Sequence, residues 1–138
     1  MLICDTSGLL AYFDRSDRQH EAVAAAVEGD PGPFVVSPYV VAELDYLLAT
    51  QRGVAAELAA LAELSGGAWK LAALDQPDLS SATGIVERYA DQAIGVVDAS
   101  LVVLAHRYHT DRLLTLDRRH FAVVRTIAGR PFTLLPAE

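Results

Sequence analysis

Short apolar runs and longer stretches of helical period take turns along this chain, and that alternation admits few folds. The run Leu2-Ile3-Cys4 is too short for a helix and carries no polar alternation, which is how a strand covered on both faces reads. Residues 5–14 then place apolar side chains at helical spacing. The pairing returns at 34–37 with 40–50, and again late in the chain, where strands are expected at 113–116 and 132–135. A chain built this way hides its apolar faces best as a layered α/β domain with a mainly parallel sheet.

Breakers and caps sharpen the outline. A second helix is expected over 17–28, ended by Gly29-Asp30-Pro31-Gly32-Pro33. Pro38 stands where a first helical turn tolerates proline, with Ser37 as the N-cap. Gly53 separates that helix from the next, 54–64, which Ser65-Gly66-Gly67 closes, and the two read as a hairpin. A short strand at 69–74, a helix at 77–92 weakened by Gly84, an apolar helix at 96–108 and a helical turn at 117–121 complete the reading. No boundary or internal repeat interrupts it, so residues 1–138 are expected to form one domain.

Composition fixes the setting. With 52% hydrophobic and 21% charged residues in 138, the chain can bury a substantial core. No apolar stretch approaches the ~20 residues a membrane-spanning helix needs. The polar Asp5 and Thr6 come too early for a secretion signal, so no membrane association and a cytoplasmic location are expected. The single cysteine, Cys4, has no internal disulfide partner and behaves as a small buried hydrophobe. A net charge of −7 argues against gripping nucleic acid with the whole surface. Arginines do gather late, at 107, 112, 118, 119, 125 and 130, either as a local phosphate-facing patch or as scattered solvated side chains.

The acids carry the chemistry. Asp5, Asp98 and Asp117 each follow an apolar run and precede a helix, and in a parallel sheet ligands bind beyond the carboxyl ends of the strands. Taken singly, each is explained as an N-cap that stabilises its helix by ~1 kcal/mol. Glu43 escapes that explanation because it lies mid-helix beside Val40, Leu44 and Leu47. Asp45 keeps similar company with Val41 and Leu48, so periodicity does not choose between them. Two unit charges ~4 Å apart repel by about 4 kcal/mol at an effective dielectric of ~20, so a pocket of carboxylates calls for cations. Hard oxygen donors suit Mg²⁺ or Mn²⁺, and the associated chemistry is attack of an activated water on a phosphodiester.

Other side chains are weighed the same way. His106 and His109 lack the cysteine or third histidine that a zinc site needs and read as helix-end residues. Trp69 and Tyr46 either stack on bases or serve a core or a dimer contact. The single lysine, Lys70, fits no receiver-domain pattern, and Ser7 stands where a haloacid-dehalogenase-type phosphatase carries its second aspartate.

Four segments resemble, in order and spacing, the acidic motifs of PIN domains, and especially the VapC toxins of bacterial, notably mycobacterial, toxin–antitoxin pairs. They are DTSGLLAYFD from Asp5, VSPYVVAELDYLL around Glu43, GVVDASLVVLA around Asp98 and LLTLDRRHF around Asp117. The resemblance implies a three-layer α/β/α fold with the acids converging at one sheet edge. Asp5, Asp98 and Asp117 would bind metal, and Glu43 rather than Asp45 would help hold the metal or its water. Thr6 and Thr115 match supporting polar positions, and Arg118, Arg119 and His120 lie where RNA contacts are expected. The implied activity is a Mg²⁺- or Mn²⁺-dependent endoribonuclease that cuts structured RNA, tRNA or rRNA, leaves 5′-phosphate and 3′-hydroxyl ends, and inhibits translation. The implied partners are a VapB-like antitoxin, which would carry the complex to operator DNA, and a second copy in a homodimer. The alternative is a degenerate PIN domain that binds RNA or an antitoxin without cutting, and the presence of all four acids counts against it.

Overall fold

The computed structural model describes all 138 residues. In chain order the elements are β1 (Leu2–Cys4), α1 (Thr6–Phe13), α2 (His20–Glu28), β2 (Phe34–Val36), α3 (Pro38–Arg52) and α4 (Val54–Ser65). There follow β3 (Lys70–Leu71), α5 (Gln76–Arg88), a 3₁₀ turn at Ala90–Gln92, α6 (Val96–Arg107), β4 (Arg112–Leu114), α7 (Arg118–Phe121) and β5 (Thr133–Leu135). All five strands are parallel, in the order β3-β2-β1-β4-β5.

β1 is central, and each of its three residues is buried, which is why its run carries no polar alternation. From β1 the chain steps outward through β2 to β3, then returns to the other side of β1 for β4 and β5. The direction of winding therefore reverses between β1 and β4. Their carboxyl ends define the crevice where parallel α/β sheets bind ligands. Around this sheet α1 packs on α2 and α3, α3 on α4, α5 on α6, and α6 against β1 and α3.

Several boundaries differ from the sequence reading, each for a local reason. α2 starts at His20 rather than 17, because the Asp17 carboxylate accepts a hydrogen bond from Gln19 N at 2.7 Å and holds a turn there. The strand expected at 69–74 shrinks to two exposed residues at the sheet edge, since Trp69 turns into the core. There it packs on Tyr12, Phe13 and Phe34 and donates its indole N–H to Glu63 Oε2 at 3.1 Å. Trp69 is thus a core residue, whereas Tyr46 is 68% exposed. The helix expected to reach 92 stops at Arg88 and gives way to the 3₁₀ turn, whose end at Ala93 adopts a left-handed conformation (φ 56°). α3 begins as expected, with Pro38 in its first turn and Ser37 Oγ accepting from Tyr39 N at 3.1 Å, and Gly53 (φ 92°) ends it. Cys4 is a free, fully buried thiol whose pKa burial pushes up, and no helix is long and apolar enough to cross a membrane.

Candidate active site

Asp5 follows β1 directly, and its backbone N–H donates to Leu114 O at 2.9 Å, which ties the start of α1 to the end of β4. Gly8 makes this approach feasible: a Cβ there would stand 2.7 Å from Leu114 O and 2.9 Å from Leu114 Cγ. The Asp5 carboxylate is buried and caps α1 through Oδ1, which accepts from Thr6 N at 2.8 Å. Oδ2 accepts from Thr115 Oγ1 at 2.7 Å and from Ser7 Oγ at 3.0 Å. Both hydroxyls spend their protons on this oxygen, and each in turn accepts a backbone N–H, from Asp117 to Thr115 Oγ1 (2.9 Å) and from Leu116 to Ser7 Oγ (2.9 Å). The network locks three consecutive residues after β4 to the first turn of α1.

No lysine, arginine or histidine pairs with Asp5. Burial raises its pKa and the nearby Asp117 adds to this, against the lowering by Thr115, Ser7 and the Thr6 N–H. A buried carboxylate lacking a cationic partner is costly, and its presence asks for a charge from outside the protein.

Asp98 is not a cap. Gly95 holds that position, and Asp98 points from the first turn of α6, where the helix dipole favours an anion. Its pKa is pushed up to about 6, by burial first, then by repulsion from Asp5, with His120 opposing and Asp117 and Glu43 adding further repulsion. Asp98 therefore feels the other three acids, although the four come from separate parts of the chain. α3 and α6, which carry Glu43 and Asp98, are bridged by Ser37 Oγ and Ser100 Oγ at 2.8 Å. Glu43 is exposed, on the rim. Asp45 turns the other way and shares a hydrogen bond with Glu57 on α4, raising that residue's pKa.

Asp117 caps α7 by accepting from His120 N at 3.2 Å. The His120 ring turns back onto the acids: Nδ1 lies 3.0 Å from Asp117 Oδ2 and 3.2 Å from Asp98 Oδ2, without hydrogen-bond alignment to either. As they stand, no three acid or histidine side chains are arranged to close round a metal ion.

The remaining sequence candidates divide. Thr115 supports Asp5 directly, while Thr6 does so only through its backbone, its hydroxyl being buried without a partner. Ser7, which the sequence reading weighed only against a phosphatase, is a full member of the network. No local signal marks it, because its partner Leu116 lies 109 residues away. Arg118 is engaged by the Pro136 carbonyl and lies 3.8 Å from Glu138, His120 faces inward, and Arg119 alone of the three is exposed without an ion pair. His106 and His109 lie away from the acids, lining an open cavity of about 500 Å³ beside Arg112 at the amino end of β4.

A crossover sheet with acids gathered at its switch point defines a class of nuclease-like α/β domains, and the PIN domain family model matches residues 2–126. The chain belongs to the PIN domain family. Within it, the chain is similar to ribonuclease VapC26 of Mycobacterium tuberculosis, with 55% identity over 135 residues, 98% of this chain and 100% of that protein. Among solved structures it resembles the Mycobacterium tuberculosis toxin VapC20, which cleaves the sarcin–ricin loop, with a TM-score of 0.79 over 85% of this chain and 90% of the other. At 20% identity that likeness is one of fold, and it bears out the α/β/α architecture expected from the sequence.

Proposed function

We propose that this chain is a VapC-type endoribonuclease toxin, dependent on Mg²⁺ or Mn²⁺, that hydrolyses phosphodiester bonds of structured RNA. The observation that carries the reading is the buried Asp5 carboxylate, unpaired by any cation and repelled by Asp98 and Asp117, with Glu43 in turn repelling Asp98. Its 55% identity to a ribonuclease supports the substrate class. The donor set fits a hard divalent ion, since it consists of carboxylate oxygens flanked by hydroxyls and contains no thiol. Asp5, Asp98 and Asp117 would hold the ion, with Glu43 at the rim holding it or its water. When bound, such an ion neutralises the acids, lowers the pKa of a water molecule and stabilises charge on the phosphodiester.

The chain's own contribution is positioning. Ser7 and Thr115 fix Asp5 Oδ2 in one orientation, so that carboxylate needs no reorganisation when a ligand arrives. The same hydroxyls hold the backbone that presents Asp117. The raised pKa values of Asp98 and Asp5 reflect negative charge that the chain's own groups leave unneutralised, and a divalent cation would offset it. Glu43 and Arg119 are both exposed, which leaves them open to contact with RNA.

The finer reading names tRNA or rRNA as substrate, inhibition of translation as outcome, a VapB-like antitoxin as neutralising partner, a homodimer as the working state and the cytoplasm as the location. The test is direct. Purified protein incubated with tRNA and rRNA should cut only when Mg²⁺ or Mn²⁺ is present, and end-labelling should reveal 5′-phosphate and 3′-hydroxyl termini. Termini ending in 2′,3′-cyclic phosphate, or undiminished cleavage in excess EDTA, would reject the reading.

A further inference from the structure

The His120 ring meets two of the four acids at once. Its Nδ1 is buried and makes no hydrogen bond, yet it lies within 3.2 Å of Asp98 Oδ2 and 3.0 Å of Asp117 Oδ2. A buried ring nitrogen ordinarily finds one aligned acceptor. Here two carboxylates from separate elements close on it instead, one from α6 and one from the residue before α7.

We propose that His120 is a latch on the metal site: its imidazole bridges Asp98 and Asp117 while no divalent ion is bound, and it must swing out before an ion can take those oxygens. The inference rests on the metal-dependent reading above. Two observations support it. The oxygens contacted by His120 belong to two of the acids assigned to the ion, so the ring and the ion compete for the same atoms. The side chain also borders solvent, being 30% exposed, while its backbone N–H is held by Asp117 Oδ1 and the neighbouring Phe121 anchors α7 in the core. A change of side-chain rotamer is enough, and α7 need not unfold. His120 is therefore a positioning residue that acts through Asp98 and Asp117.

The experiment is a calorimetric titration of the whole protein with Mg²⁺, comparing the parent with His120→Ala and His120→Asn, and with Asp5→Asn as the control for ion uptake. Both His120 variants should bind Mg²⁺ about three- to tenfold more tightly, because no ring has to be displaced. Their metal-free melting temperature should fall while the rise on adding Mg²⁺ grows. In the parent, the His120 ring resonances should shift as Mg²⁺ is added. Unchanged affinity in both variants would overturn the latch, and weaker affinity would overturn it in favour of a ligand role. If the parent takes up neither Mg²⁺ nor, in the same titration repeated with it, Mn²⁺, the metal-dependent reading falls and the latch with it. If the parent binds, Asp5→Asn does not and the His120 variants bind no more tightly, the latch alone falls.

Discussion

Asp5 and Asp30 are both buried aspartates, set at opposite ends of the same pair of strands, and the fold treats them in opposite ways. Asp30 sits at the amino end of the sheet, where its side chain is 3% exposed. The Met1 amine reaches Oδ1 at 2.7 Å, Gly32 N reaches the same oxygen at 2.8 Å, and Arg112, the first residue of β4, reaches Oδ2 at 3.0 Å. Burial alone would raise its pKa, but the amine, the Gly32 N–H and Arg112 outweigh that and hold it below the usual carboxylate range. At the carboxyl end, Asp5 receives hydroxyls and an N–H but no cation, and its pKa is raised. β1 separates the two ends by only three residues. At one end the chain neutralises its buried charge, and at the other, where the proposed ion would bind, it leaves the charge open.

Exchanging each carboxylate for an amide should break this contrast most visibly. Asp5→Asn should reduce RNA cleavage to background while leaving the metal-free protein as stable as the parent or more so, because a repulsive buried charge is gone. Asp30→Asn should do the reverse, lowering unfolding free energy by about 2–3 kcal/mol through the loss of charged hydrogen bonds and leaving cleavage per folded molecule intact. Chemical denaturation and an RNA cleavage assay on both variants check this. Matching losses of stability would show that Asp5 is a structural charge like Asp30.

A smaller effect is expected from the hydroxyls that replace cations around Asp5. Thr115→Val keeps the side chain's shape, removes the 2.7 Å donor to Oδ2 and strands the Asp117 N–H. Supporting residues of this kind typically contribute 10- to 100-fold to metal affinity or activity, so about that loss is expected in Mg²⁺ affinity measured by calorimetry. Ser7→Ala should behave similarly, since it removes the second donor and the acceptor for Leu116 N. Full Mg²⁺ affinity in both variants would mean that Asp5 needs no orientation.

The same contrast explains what the amino-acid order revealed. β1, β2 and β4 were legible because central parallel strands are apolar on both faces, and the acids stood out because each followed such a run or interrupted an apolar helix. Asp30 was legible only as one residue of a breaker cluster, since its partners, Met1 and Arg112, lie 29 and 82 positions away. Ser7 and the close contact at Gly8 were hidden for the same reason: both depend on where β4 lies against α1. His120 was readable as a basic residue next to Arg118 and Arg119, and its inward turn follows from the cap that Asp117 places on α7. Local chemistry announces itself in sequence, whereas pairing across the sheet does not.

The smallest effect, and the one that sets the two ends against each other in a single measurement, is the acid titration of metal-free protein. Asp98, with a folded pKa of about 6, binds its proton more readily when folded than when unfolded, where the value is ~3.9. Stability should therefore rise as pH falls from about 6 towards 4, and the raised pKa of Asp5 adds in the same sense. Residual solvent screening at Asp98 reduces the gain to about 1–2 kcal/mol. Asp30 has the opposite sign: its depressed pKa gives stability that is complete above the unfolded value and is lost as pH falls through the folded one. Melting temperatures taken from pH 7 to pH 3 should thus pass through a maximum near pH 4. Asp98→Asn should flatten the rise, Asp30→Asn should soften the fall, and saturating Mg²⁺ should abolish the rise by favouring the ionised acids. A parent curve that is level between pH 7 and pH 4.5 would mean that the carboxyl-end acids are not held together in the folded protein, and the contrast between the two ends would go with it.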